Sequence, residues 1–92
     1  MSKRVDSNHS EIVAGLRAVG ATVRSTAMVG KGFADIVAGF QGRNWLFEIK
    51  DGSKPPSARS LTEAEKEFHE SWRGQVSIIN SLDDALKAIG AT

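Results

Sequence analysis

The chain has no cysteine, so it can form neither disulfide bonds nor thiolate metal sites. It also has no apolar run long enough to span a membrane. The N-terminus, Met1-Ser2-Lys3-Arg4, lacks the apolar stretch of a signal peptide. Together these absences predict a cytoplasmic protein that does not associate with membranes.

An excess of charge of one sign is missing as well. The sequence has 12 Lys and Arg against 11 Asp and Glu, a net charge of +1. The total charge therefore does not indicate a nucleic-acid-binding protein, and any basic footprint has to be local. Ninety-two residues predict a single domain over residues 1–92, with residues 1–6 frayed.

Apolar spacing and turn residues predict the element order α-β-β-β-α-β-α. In the first helix the apolar stripe is Ile12, Val13, Leu16 and Val19. In the second helix the predicted inward residues are Leu61, Ala64, Phe68 and Trp72. The predicted elements are helix 7–19, strands 21–26, 33–40 and 45–50, a helix from 62 to 74, strand 75–80 and helix 82–89, with a turn at 41–44 and an irregular loop at 51–60.

Two charged residues interrupt the apolar strand that ends at Lys50. Alternate residues of a strand point to one face, so Glu48 and Lys50 share one side and Phe47 and Ile49 share the other. Burying a carboxylate and an ammonium in an apolar strand costs desolvation free energy. On this pattern alone, an edge strand with a solvated face and cross-strand ion pairs is an equally good interpretation.

A second acid, Asp35, lies in another apolar run, residues 33–37. If these two strands form a hairpin, Asp35 and Glu48 lie on adjacent strands at similar height. Two carboxylates placed there repel each other unless a cation lies between them, and Mg²⁺ or Mn²⁺ suits oxygen ligands. An ion held in this way keeps positions for a phosphate oxygen and a water, and Lys50 could orient that water or stabilise transition-state charge.

Three motifs carry a resemblance to a known family: Gly32-Phe33-Ala34-Asp35, Glu48-Ile49-Lys50-Asp51-Gly52 and Leu61-Thr62-x-x-Glu65-x-x-Phe68. Together they resemble the PD-(D/E)xK nuclease superfamily. More narrowly, they are similar to the stand-alone, phage-type VRR-NUC domains, which are related to Holliday junction resolvases. The resemblance covers about residues 11–89. It implies an α/β fold with a restriction-endonuclease-like α-β-β-β-α-β core, in which helices flank a mixed sheet.

The resemblance also implies roles for individual residues. Asp35 and Glu48 match the two metal-binding acids, and the backbone carbonyl of Ile49 matches a further ligand. Lys50 matches the catalytic lysine. Ala34 stands where the family usually has proline, which alters only the stiffness of the backbone.

Two more acids match family positions but have an alternative interpretation as helix caps. Glu11 matches an acid that completes the metal shell in resolvase-like members, while Asn8-x-x-Glu11 can instead be a capping pair. Glu65 lies where this group often has glutamine, as an accessory residue. Thr62-x-x-Glu65 is, however, itself the pattern of a capping box.

Loop cations flank the predicted site at Lys31, Lys54 and Arg59. We expect them to contact DNA phosphates without reading bases, although each could simply be a solvated surface residue. The sequence has no recognisable base-reading element. This favours cleavage that is selective for DNA structure over cleavage that is specific for sequence.

These observations predict a Mg²⁺- or Mn²⁺-dependent endodeoxyribonuclease. The resemblance implies branched DNA such as a Holliday junction as substrate, in a bacterial or phage-infected cell. Two coordinated cuts are most simply made by a homodimer. Three alternatives remain open: a nuclease with nicking or flap specificity, a catalytically silent DNA-binding module, and a toxin–antitoxin or assembly protein whose carboxylates are structural.

Overall fold

The computed structural model describes residues 8–92. Residues 1–6, predicted to be frayed, and Ser7, the predicted start of the first helix, lie outside this range. No helix within the described range is both long enough and apolar enough to cross a bilayer. The described elements are α1 (His9–Ala18), β1 (Thr22–Ser25), β2 (Ile36–Phe40), β3 (Arg43–Ile49), α2 (Glu63–Ser71), β4 (Ser77–Ile79) and α3 (Leu82–Ile89), with 3₁₀ turns at Ala27–Val29 and Pro56–Ala58.

The four strands form one mixed sheet in the order β1-β2-β3-β4. The β1–β2 and β2–β3 pairs are antiparallel, and β3 pairs with β4 in parallel. The predicted element order and the α/β fold class are confirmed. The 3₁₀ turn at Pro56–Ala58 shows that the prediction of a wholly irregular loop over residues 51–60 was wrong.

The hairpin turn between β2 and β3 is shorter than predicted. Phe40 pairs directly with Arg43, which leaves Gln41 and Gly42 as the turn. Both turn residues have positive φ, 51° and 78°, as in the two-residue turns whose twist matches that of paired strands. The strand therefore begins at Arg43 rather than at Trp45.

Helices α1 and α3 cover one face of the sheet and enclose the core. Ile12 and Leu16 of α1 are fully buried, whereas Val19 is 40% exposed because α1 ends at Ala18. The prediction of Val19 as an inward residue was wrong. Burying an isoleucine or leucine side chain, as at Ile12 and Leu16, contributes roughly 1.5–3 kcal/mol to the stability of the fold. The core consists of Ile12, Leu16, Ala21, Val23, Ile36, Ala38, Phe47, Ile49, Ile79, Ala85 and Ile89.

Helix α2 does not present the apolar face that its sequence predicts. Ala64 is exposed, Trp72 is 42% exposed, and the buried residue of the helix is Glu65. Phe68 and Trp72 pack against Phe33, with ring centroids 5.0 and 5.9 Å from that ring, and form an aromatic group separate from the core. The prediction failed because α2 packs on the loop before β2 and not on the main core.

Strand β4 is shorter than the predicted 75–80, and a side chain replaces its missing start. Leu46 of β3 donates its amide to Gln75 Oε1 at 2.7 Å, and Gln75 Nε2 donates to the Leu46 carbonyl at 2.9 Å. The Gln75 amide thus pairs with β3 as main chain would. Main-chain pairing with β4 begins only at Ser77, opposite Phe47.

Candidate functional site

The chain bends at Asp35, so that β2 starts at Ile36 and not at Phe33 as predicted. Polar groups of Thr26 hold the bend. The Thr26 amide donates to the Asp35 carbonyl at 2.9 Å, and Thr26 Oγ1 donates to the Ala34 carbonyl at 2.6 Å. Asp35 therefore lies just before the strand, where its side chain does not have to follow the alternation of strand side chains between the two faces of the sheet.

The bend brings the Asp35 carboxylate to the end of β3. The Asp35 amide donates to the Phe47 carbonyl at 2.9 Å, and the Ile49 amide donates to Asp35 Oδ2 at 2.7 Å. Asp35 is only 3% exposed. Because a strand residue turns its own N–H and C=O to the same edge, the Ile49 carbonyl faces the edge where Asp35 lies. Two of the predicted ligand groups thus face the same edge of β3.

Glu48 and Lys50 lie on the sheet face opposite α1 and α3, as the strand pattern predicts. Glu48 is completely buried, and β3 is an interior strand, so an edge strand with a solvated face does not describe this site. Lys50 Nζ lies 3.6 Å from Glu48 Oε2 and 3.0 Å from Glu65 Oε1. The Lys50 side chain is 12% exposed. Its ammonium therefore bridges β3 and α2 between two buried carboxylates.

Glu65 caps α2 and contacts the predicted catalytic lysine at the same time. The Glu65 amide donates to Thr62 Oγ1 at 3.1 Å, and the Thr62 amide donates to Glu65 Oε1 at 3.0 Å, which completes a capping box. The oxygen that accepts from Thr62 also accepts from Lys50. The capping interpretation is confirmed, and it accompanies a position in the site.

Glu11 is exposed on α1 and lines a cavity of about 640 Å³ together with Asn8, Asp51 and Arg59. Within residues 8–92, no three His, Asp or Glu side chains are grouped so that they could hold a metal ion. The structure therefore does not gather Glu11 with Asp35 and Glu48, and its role as a further ligand stays a prediction.

Asn8 precedes α1 but makes no side-chain capping bond, so the alternative interpretation of Asn8 and Glu11 as a capping pair is wrong. Instead, Asn8 Nδ2 donates to the Lys50 carbonyl and to the Asn80 carbonyl, each at 3.1 Å. These partners are 42 and 72 residues away along the chain. The local sequence around Asn8 contains only the capping pattern, so it gave no signal for this contact.

Lys31 lies in a loop of unusual backbone geometry. Gly30, Lys31 and Gly32 have φ values of 76°, 56° and 80°. A Cβ built on Gly32 would overlap the Ala64 carbonyl, so α2 packs directly on this backbone. Lys31 itself is exposed and lines a groove along α2 that also contains Glu67.

Lys54 and Arg59 lie in the segment that follows β3. Lys54 is exposed, and Arg59 is half-buried at the cavity that Glu11 and Asp51 line. Asp51 is itself buried and accepts hydrogen bonds from the Ser53 amide, at 2.9 Å, and the Ser53 hydroxyl, at 2.7 Å. Contacts between these two cations and DNA stay predictions.

The donor set at the end of β3 suits a hard divalent cation. The Asp35 and Glu48 carboxylates and the Ile49 carbonyl are all oxygen ligands, the type that Mg²⁺ and Mn²⁺ prefer. Such an ion, bound by few protein groups, retains waters that can be exchanged for substrate oxygens. The chemistry of these donors is therefore compatible with Mg²⁺ or Mn²⁺, and binding of either metal stays a prediction.

Comparison of the chain with protein-family models, with curated proteins and with solved structures found no match in any of the three.

Proposed function

We propose that the protein is a metal-dependent DNA endonuclease of the PD-(D/E)xK type, similar to the VRR-NUC domains, with a restriction-endonuclease-like core. One observation carries the proposal. The Asp35 carboxylate accepts the Ile49 amide at 2.7 Å, within the same Glu48-Ile49-Lys50 segment whose lysine lies 3.6 Å from Glu48. Residues far apart in sequence thus supply two acids, one carbonyl and one ammonium at the end of a single strand.

Asp35, Glu48 and the Ile49 carbonyl would hold Mg²⁺ or Mn²⁺. A metal bound there supplies Lewis acidity toward a phosphate oxygen and lowers the pKa of bound water. Lys50 offers three N–H donors beside the acids, suited to orienting a water or stabilising negative charge on the phosphate. Glu65 keeps this ammonium at the site, because its Oε1 lies 3.0 Å from Lys50 Nζ.

Charge on the surface favours one path for the DNA. Helix α2 exposes three glutamates, Glu63, Glu67 and Glu70, against one lysine, Lys66, so its net negative charge repels a phosphate backbone. The segment after β3 instead carries Lys54 and Arg59, which can contact phosphates without reading bases. We therefore infer that DNA approaches over this segment and that cleavage depends on DNA structure.

Branched DNA is the proposed substrate class, with a four-way junction as its best candidate. Resolving a junction requires two coordinated cuts, and a symmetric pair of chains supplies two equivalent sites. A homodimer is therefore part of the proposal. Nicking or flap cleavage by the same site would leave the roles of Asp35, Glu48 and Lys50 unchanged.

The decisive experiment incubates the protein with linear, nicked, flap and four-way DNA in Mg²⁺, Mn²⁺ or EDTA, and maps the cuts. We expect paired cuts near the branch point in either metal and none in EDTA. The same metals should raise the melting temperature, since an ion at about 100 times its dissociation constant stabilises the folded state by about 2.7 kcal/mol. Intact DNA in every combination would reject the nuclease.

One observation favours a second candidate, a DNA-binding module without catalysis. Asp35 and Glu48 are 3% and 0% exposed, and Lys50 is held by Glu65, as in a purely structural polar network. This candidate predicts tight binding of four-way DNA in EDTA, no cleavage in any metal and no metal-dependent change in melting temperature. The cleavage and melting-temperature measurements above therefore separate the two functions.

A further inference from the structure

We propose that Asn8 is a positioning residue that fixes the main chain of Lys50 and thereby holds the lysine side chain between Glu48 and Glu65. This inference rests on the proposed nuclease function. Asn8 Nδ2 donates to both the Lys50 and the Asn80 carbonyls at 3.1 Å. A single amide group thus joins the start of α1 to the chain just beyond β3 and just beyond β4.

Main-chain pairing between β3 and β4 ends where Asn8 makes its contact. The Lys50 amide donates to the Ile79 carbonyl at 2.9 Å, and the last paired residues of the two strands are Ile49 and Ile79. The next acceptor, the Lys50 carbonyl, receives its hydrogen bond from Asn8. Both main-chain polar groups of Lys50 are therefore held on the β4 side.

This arrangement determines where the neighbouring residue points. Successive residues of a strand turn their N–H and C=O groups to opposite edges, so holding Lys50 toward β4 turns Ile49 toward β2. The Ile49 amide does face that edge, where it donates to Asp35 Oδ2 at 2.7 Å. If Asn8 released the Lys50 carbonyl, the Lys50–Asp51 peptide could rotate and the lysine side chain would lose its fixed direction. The Ile49–Lys50 peptide would stay held by the bond from the Lys50 amide to Ile79.

The geometry requires the two donors of an asparagine NH₂ group. The Asn80 carbonyl also accepts from the Gly52 amide at 3.0 Å, and a Cβ on Gly52 would lie 2.8 Å from that carbonyl oxygen. The chain after β3 is thus packed tightly against Asn80. An aspartate at position 8 has nearly the same shape but would direct acceptor oxygens at two carbonyls.

The test compares Asn8→Asp and Asn8→Ala with Ser81→Ala. Ser81 lines the same cavity as Asn8, and its hydroxyl accepts the Asp84 amide at 3.1 Å as the cap of α3, so its removal lowers stability without reaching Lys50. For each variant, kcat and KM are measured on four-way DNA. The Mg²⁺ or Mn²⁺ concentration that gives half of the melting-temperature shift is measured without DNA.

We expect both Asn8 variants to lower kcat by about 10–100-fold, because misplacing a catalytic group slows turnover, and to keep the wild-type half-saturating metal concentration. KM for DNA should stay within about twofold of the wild-type value, and Ser81→Ala should keep wild-type kcat and metal response. If Asn8→Asp does not fold, Asn8→Ala alone provides the comparison with Ser81→Ala. Asn8 variants that match Ser81→Ala in kcat overturn the inference while leaving the nuclease intact. A wild-type protein that cleaves no DNA removes the proposed function and this inference together.

Discussion

Lys50 Nζ lies 3.0 Å from Glu65 Oε1, the same oxygen that accepts the Thr62 amide at the start of α2. The Glu65 carboxylate therefore serves two groups: it accepts a hydrogen bond from an open main-chain N–H at the start of the helix, and it pairs with the charge of a lysine at the end of the neighbouring strand. The position of Glu65 in the first turn also suits its negative charge, because the helix N-terminus is the positive end of the dipole. The site and the start of α2 are thus built around a shared residue.

Replacing Glu65 should cost more stability than removing the cap alone. Thr62→Ala removes the hydroxyl that accepts the Glu65 amide and should cost about 1 kcal/mol. Glu65→Ala removes the other bond of the capping box, which the Thr62 amide donates, and in addition the hydrogen bond from the Lys50 ammonium, so we expect a further loss of about 1.5–3 kcal/mol. Urea denaturation of both variants measures the difference. Equal losses would show that the Lys50–Glu65 contact contributes no stability.

Neutralising either acid should abolish cleavage while the fold persists. Asp35→Asn can still accept the Ile49 amide through its side-chain oxygen, and Glu48→Gln preserves side-chain volume. We expect cleavage to fall more than about 100-fold, beyond the effect of losing a group that only orients a ligand. Binding of four-way DNA in EDTA should be retained or tightened, because a charge that repels phosphate is gone. Asp83→Asn, which changes an exposed acid on α3, is the control; unimpaired cleavage in Asp35→Asn or Glu48→Gln would reject the metal site.

Lys50→Ala should slow turnover with little effect on metal binding. Loss of a donor to developing charge typically lowers kcat about 10²–10³-fold. Lys54→Ala is a matched control, since this exposed loop lysine should weaken DNA binding and reduce the salt dependence of affinity by about one unit of slope without lowering kcat. Single-turnover cleavage at several salt concentrations separates the two effects. A Lys50→Ala enzyme as fast as wild type would take the lysine out of the mechanism.

Gly32→Ala should destabilise the protein more than Gly30→Ala does. Both glycines have positive φ, 80° and 76°, and Gly30, with ψ −170°, lies in a region that is almost confined to glycine, so a side chain at either position costs about 1–3 kcal/mol. A Cβ at Gly30 meets no atom within 4 Å, whereas one at Gly32 overlaps the Ala64 carbonyl. Overpacking of this kind adds about 1–3 kcal/mol to the Gly32 variant. Thermal unfolding in EDTA measures the difference, and similar melting temperatures for the two variants would mean that α2 does not pack on this backbone.

The order of helices and strands was readable from the sequence because each element carries local signals. The alternation around Phe47 and Glu48 predicts which face meets the apolar core, and Thr62-x-x-Glu65 predicts the capping box that begins α2. The bend at Asp35 was missed because it depends on bonds from Thr26, which lies earlier in the chain. Local apolar flanks made the same residues look like a strand.

Contacts between distant segments account for the other errors. Trp72 and Phe68 have the spacing of a core-facing stripe, but their partner is Phe33 in a loop, and periodicity does not identify a partner. The sequence pattern favoured Glu65 as a cap and could not show that Lys50 shares its oxygen. Asn8 was interpretable only as a cap, because its partners are 42 and 72 residues away.

The side chain of Gln75 has a consequence for behaviour at high concentration. A stretch of strand with unpaired N–H and C=O groups can pair with extended segments of other molecules, and this pairing can nucleate aggregates. At Leu46 the main-chain N–H and C=O groups are already paired, because both bind the Gln75 side-chain amide, at 2.7 and 2.9 Å. The Gln75 side chain therefore prevents another molecule from adding a strand at this point of the sheet, where main-chain groups would otherwise be open to fibre formation.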